Sequence, residues 1–135
     1  MNREYGHRIV SRLAVAANSL IVPILEPFQL LWAHIEYTST AAVGNRQIKL
    51  TMTNNAGAIV ADTHAGAVQA LGTVRHYFFM QGIYRETAFL VDEIQVPIPS
   101  DYIFLPGQNL KIFDVNNVAA GDSMVVSYAR RLVTQ

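Results

Sequence analysis

The chain has 135 residues, 51% hydrophobic and 15% charged, with ten Lys+Arg against ten Asp+Glu and no cysteine. One domain is the natural reading of that length. A formal net charge of zero argues against the basic footprint that nucleic-acid binding needs, and the absence of cysteine excludes disulfide frameworks, zinc–thiolate sites and thiol nucleophiles.

A charged share below the roughly 25% usual in soluble proteins predicts a large apolar core and apolar surface that neighbours cover. Neutrality also removes the self-repulsion that holds copies apart. The apolar runs 13–17 and 20–25 are far shorter than the ~18 residues of a membrane span, so no membrane partner is expected. The short apolar stretch after Arg12 is a poor match to a secretory signal, so none is expected there.

The first element is ambiguous. Over residues 5–17, Ile9, Leu13 and Ala16 share one helical face, Arg8 and Arg12 another, and Asn18 stands where a helix would end. A short helix is expected, with an extended arm as the alternative, giving an N-terminal segment 1–18 ahead of a single domain 19–135.

From residue 20 the pattern is that of strands. Residues 20–25 are apolar but interrupted by Pro23, which suits an edge or a bend. Residues 28–38 are long and aromatic, with Leu31, Ala33, Ile35 and Tyr37 alternating against Trp32, His34, Glu36 and Thr38. After a small-residue loop, 47–53 alternates without a slip: Ile48, Leu50 and Met52 on one face, Gln47, Lys49, Thr51 and Thr53 on the other. Asn54-Asn55-Ala56-Gly57 tolerates left-handed backbone angles, and the apolar run 58–62 follows, which predicts a hairpin. Further strands are expected at 73–80, 87–98, 110–115 and 124–132. The result is an all-β, antiparallel sandwich or jelly roll of about eight strands, with no connection suited to a crossover helix.

Chemistry is sparse. His34 and Glu36 share a strand face and could form part of a metal site, but convergent further ligands are missing, so a partly exposed strand face is expected. His76 is read the same way. Asp92 and Glu93 point to opposite faces and make no acid/base dyad. No serine stands in a nucleophile elbow, and Gly44-Asn45-Arg46 lacks the spacing of a phosphate loop. No catalytic residue, metal or cofactor is expected. The aromatics Trp32 and Tyr77-Phe78-Phe79 suit a sandwich core better than a ligand shelf. Five residues are candidate partner contacts. Tyr5, Arg8 and Arg12 form a basic and aromatic N-terminal cluster, Arg46 opens a strand after a turn, and Arg130 lies near the C-terminal end.

Several of these segments, taken in order, resemble a known group. They are Ile21-Val22-Pro23, the Trp-containing strand, Val43-Gly44-Asn45-Arg46, the strand 47–53, the turn at Gly57, the aromatic strand after Gly72-Thr73, Ile98-Pro99, Phe104-Leu105-Pro106-Gly107 and Leu110-Lys111-Ile112-Phe113-Asp114. Their order over residues 20–128 resembles small virion proteins of tailed bacteriophages, close to head decoration or cement proteins with a jelly-roll-like sandwich. The resemblance implies a structural role on the capsid surface of a particle made in a bacterial cytoplasm. It also implies the major capsid protein and further copies of the chain, commonly in trimers, as partners, and it carries over no catalytic residue. Two other readings compete: a carbohydrate- or receptor-binding jelly roll of a head or tail fibre, using Tyr84 with Arg85 and Glu86, or Tyr102; and an enzyme on a cupin-like barrel.

Overall fold

The structure is a computed structural model that describes residues 4–118 and 121–134, with side chains described for 8–118 and 121–133. Ten strands are present among these residues: β1 Glu4–Val15, β2 Ser19–Pro23, β3 Phe28–Thr38, β4 Ile48–Thr53, β5 Ile59–His64, β6 Val74–Met80, β7 Glu93–Pro97, β8 Ile103–Phe104, β9 Asn109–Asp114 and β10 Ser123–Thr134. The chain is all-β, as the alternation predicts, and no described residue is helical.

The strands form two sheets. One runs β1-β10-β3-β6-β7, with β8 pairing the end of β3, and the other runs β2-β9-β4-β5. If β7 and β8 are set aside, eight strands remain. Counted along the chain they order as first, eighth, third, sixth in one sheet and second, seventh, fourth, fifth in the other. That interleaving is a jelly roll, in which successive strands repeatedly cross between sheets and the termini meet as neighbours.

One expectation is corrected, and the antiparallel pattern carries one exception. The N-terminal segment is strand β1, antiparallel to β10 from Glu4↔Thr134 to Val15↔Met124, so neither a short helix nor a separate arm is present over its described residues. The sheets are also not wholly antiparallel, because β6 and β7 run parallel from His76↔Glu93 to Met80↔Pro97. The chain returns between them through residues 81–92, long enough for a parallel crossover without a helix.

Between the sheets lies one core. Leu30, Ile35, Tyr37, Tyr77, Phe79 and Val126 from the six-stranded sheet meet Ile48, Leu50, Leu110 and Ile112 from the other, all fully buried. The β3 alternation holds from Ala33 onward, but Leu31 is an extra residue: Ala129 pairs Trp32 while Arg130 pairs Leu30. This bulge makes Phe28 and Leu30, not Leu31, the buried residues of the first half of β3. The predicted hairpin is present between β4 and β5. Asn54 Oδ1 accepts the N–H groups of Ala56 at 2.9 Å and Ala58 at 3.0 Å, and Gly57 takes φ 82°, a left-handed angle that costs glycine nothing.

Candidate interaction surface

Polar chemistry in the interior gathers at one end of the sandwich. Arg46, just before β4, and Asp122, just before β10, are both buried and form an ion pair at 2.9 Å. The pairing is bidentate: Arg46 Nε donates to Oδ2 and Nη2 to Oδ1 at 3.0 Å. Tyr37 Oη donates to the same carboxylate at 2.8 Å, and the Thr40 N–H donates at 2.9 Å. Arg46 Nη1 donates to the carbonyls of Ala42, at 2.9 Å, and Gly44, at 2.6 Å.

Burial alone would raise the Asp122 pKa, but the Arg46, Thr40 and Tyr37 donors outweigh it and hold the carboxyl at about 2. Burial, followed by the bond to Asp122, pushes the Tyr37 phenol well above its ordinary value. Beside this clasp, Asp114 accepts from the N–H groups of Gln47 at 2.8 Å, Asn116 at 3.0 Å and Val118 at 3.0 Å. The cluster pins the loop after β3 to the loop before β10. Its donors are already engaged, so it is built to hold loops rather than to bind a ligand.

The outer faces of the two sheets differ. On the β2-β9-β4-β5 layer the outward residues are mixed: Lys49 pairs with Asp62 at 3.2 Å and Lys111 lies 4.4 Å over the Phe113 ring, while Ile21, beside Lys111 in the register, is 56% exposed. A solvated sandwich face has this character.

The β1-β10-β3-β6-β7 layer is different. The registers place its outward residues in rows across the strands. One row is Val10, Ala129, Trp32, Met80 and Pro97, and the next is Arg12, Ser127, His34, Phe78 and Gln95. A third holds Ala14, Val125, Glu36, His76 and Glu93. The first two rows enclose a shallow depression of about 520 Å³ lined by Val10, Trp32, His34, Phe78, Met80 and Ser127.

At its margin, His34 Nε2 and His76 Nδ1 of the third row lie 2.9 Å apart and share a hydrogen bond. The Phe78 ring stacks on His34 at 4.7 Å between centroids. Burial, and then the neighbouring His76, lower the His34 pKa below its ordinary 6.5, while Glu36 and Glu93 pull the other way. The two imidazoles thus lie side by side on an aromatic shelf. No group of three or more metal-ligating side chains occurs among the described residues.

The five candidate partner residues do not form one patch. Arg8 and Arg12 are exposed on β1, with Arg12 in the second row of the apolar face. The Tyr5 side chain lies outside the described residues. Arg46 has no exposed surface, so its guanidinium meets no partner and serves the clasp; a strand-opening arginine gave no hint of an acid 76 residues away. Arg130 turns into the other end of the sandwich. There it donates to Ser11 Oγ at 2.9 Å and Tyr128 Oη at 3.3 Å and lies 5.8 Å from the Phe28 ring centroid.

Of the aromatics assigned to the core, Tyr77 and Phe79 are buried there, whereas Trp32 and Phe78 stand on the outer face. Alternation along 73–80 carries that split, and the run of three aromatics obscured it. Of the glycan-contact candidates, Tyr84 is 76% exposed and Tyr102 is buried. Arg85 and Glu86 are engaged with Thr63 and His64 and with the Gln95 N–H.

Comparison with known proteins finds no matching family model, no matching curated protein and no matching solved structure.

Proposed function

We propose that this chain is a structural protein of a phage particle, a decoration or cement protein that binds capsid subunits and stabilises the shell through symmetric contacts. The observation carrying this reading is the partly exposed shelf of Trp32, Phe78, Met80 and Val10 on the outer face of β1-β10-β3-β6-β7. Apolar faces of this kind mark surfaces that another protein covers. The jelly-roll order adds fold-level support, since capsid, lectin and cupin domains share it. The saturated polar clusters favour a load-bearing role over catalysis, so no catalytic step is assigned. A shell presents many equivalent sites, and modest affinity at each adds up over a multivalent lattice.

Mass spectrometry of purified particles tests the reading. The chain is expected in a fixed ratio to the major capsid protein, and particles lacking it are expected to release their genome at a lower temperature. Absence of the chain from purified particles overturns the proposal.

A glycan- or receptor-binding module is the second reading, favoured by the exposed Tyr84. A glycan-array signal abolished by Tyr84→Ala would replace the first reading with this one.

A further inference from the structure

At the end of the sandwich away from the clasp, a cavity of about 290 Å³ lies between the sheets. Ile9 of β1 and Leu132 of β10 line it from one sheet, and Val22 and Pro23 of β2 line it from the other. The link 24–27 between β2 and β3 contributes Leu25 and Glu26. Both ends of that link are tied down. The Ile24 N–H donates to the Gln108 carbonyl at 3.0 Å, and the Val133 N–H donates to the Pro27 carbonyl at 3.0 Å. The cavity is therefore framed by backbone hydrogen bonds before any ligand arrives. We propose that it binds a small monocarboxylate with an apolar body, and that Arg130 takes the carboxylate. This property is separate from the capsid reading and stands or falls without it.

Arg130 supplies the first argument. The registers Ile9↔Arg130 and Arg130↔Leu30 put its side chain on the face of the sheet that Ile9 and the buried Leu30 share, towards the inter-sheet space. A charge placed there is costly unless paired, yet Arg130 joins no ion pair among the described residues. Its hydrogen bonds, to Ser11 Oγ and Tyr128 Oη, both leave from Nη1. Of the five guanidinium N–H groups, those on Nε and Nη2 bond to no described residue. The Phe28 and Tyr128 ring centroids lie 5.8 and 5.7 Å from the guanidinium carbon and help to orient it.

The clasp at the opposite end supplies the second. There Arg46 holds the Asp122 carboxylate with Nε and Nη2, while its Nη1 goes to the carbonyls of Ala42 and Gly44. Arg130 is arranged alike, with Nη1 on neutral oxygens and the Nε–Nη2 edge open. That edge matches the two oxygens of a carboxylate.

The walls decide the rest of the ligand. Ile9, Val22, Pro23 and Leu132, with the Phe28 ring beside them, suit an alkyl or aryl body. Small-molecule sites combine such walls with a few placed polar groups, and this volume is at their lower end. Glu26, exposed where it lines the cavity, adds a negative charge that disfavours phosphates and dicarboxylates against a monoanion.

The test titrates octanoate into the full chain by calorimetry, with acetate, inorganic phosphate and octylammonium as comparisons. One octanoate per chain is expected, with Kd about 1 mM or tighter, and each comparison is expected to bind about tenfold more weakly or worse. Arg130→Gln is expected to weaken octanoate about tenfold or more. Val22→Trp, which fills the cavity and keeps the charge, should do the same, and Lys49→Gln on the outer face of β4 should change nothing. The wild-type chain gives a readout that does not depend on how a variant folds. In amide NMR spectra octanoate should shift the signals of Leu25, Glu26 and Arg130 and leave those of Arg46 and Asp122 in place. Lack of saturable binding, equal affinity for any of the three comparisons, a folded Arg130→Gln chain that binds as tightly, or shifts confined to another region each overturns the proposal.

Discussion

At the scale of single residues, the interior separates polar groups that hold the fold from one that does not. Asp122 accepts bonds from Arg46, Tyr37 and Thr40, so removing the guanidinium strands a buried carboxylate. Arg46→Met is expected to cost about 3–5 kcal/mol in urea unfolding, with much of it restored by Arg46→Met/Asp122→Leu, because an apolar pair of similar volume removes the stranded charge. Tyr102 is the contrasting case. Its hydroxyl is buried without a hydrogen-bond partner among the described side chains, so Tyr102→Phe removes an unmet desolvation cost and should leave stability unchanged or raise it by about 1 kcal/mol. Tyr37→Phe, by the same reasoning, should lower it. None of this was legible in the sequence. Arg46 looked like a surface residue because it follows Gly44-Asn45, and Asp122 follows Gly121 in the same turn-like setting. Only the crossing of strands between sheets brings the two together.

At the scale of elements, legibility followed alternation. The strand 28–38 and the hairpin 47–62 were readable because one face of each is buried and the other is not, and a period of two has no helical counterpart over such lengths. The first element failed that test. Arg8 and Arg12 are four apart, which fits a helix face, yet Arg8, Val10, Arg12 and Ala14 also fall on one side of a strand, with Ile9, Ser11, Leu13 and Val15 on the other. Pairing with β10 decides between them, and that is a tertiary fact. The run 87–98 was overread for the related reason that its apolar residues sit in an irregular return loop; only Glu93–Pro97 is strand. The role of β1 yields a prediction. Deleting residues 1–15 strips β10 of one neighbour along nearly its whole length and leaves Val126 and Met124 beside an open edge. Such a chain is expected to lose cooperative thermal unfolding by circular dichroism and to aggregate through the freed edge. A melting profile equal to that of the full chain would mean that β1 is dispensable to the sandwich.

At the scale of the whole molecule, burial of titratable groups sets how the fold responds to acid, and the two groups with shifts resolved on the acid side, His34 and Asp122, act in separate ranges. His34 has a folded-state pKa below its ordinary 6.5, so as pH falls past about 6.5 the unfolded chain takes up a proton that the folded chain refuses. Stability therefore declines with falling pH in that range. Asp122 is shifted down from 3.8 to about 2, so its contribution is complete above 3.8 and is lost as pH falls through about 2. Urea unfolding followed from pH 8 to pH 2 should accordingly show two declines. His34→Asn should flatten the upper one and leave the lower one in place, because the imidazole pair lies on the outer face and the clasp at one end of the core. Arg46→Met should do the reverse, since Asp122 without its guanidinium is no longer held low. A single variant that abolished both declines would show the face and the clasp to be one coupled unit. Independent loss would show that the sandwich carries two polar devices with separate effects: the clasp at one end of the core and the imidazole pair on the outer face of the larger sheet.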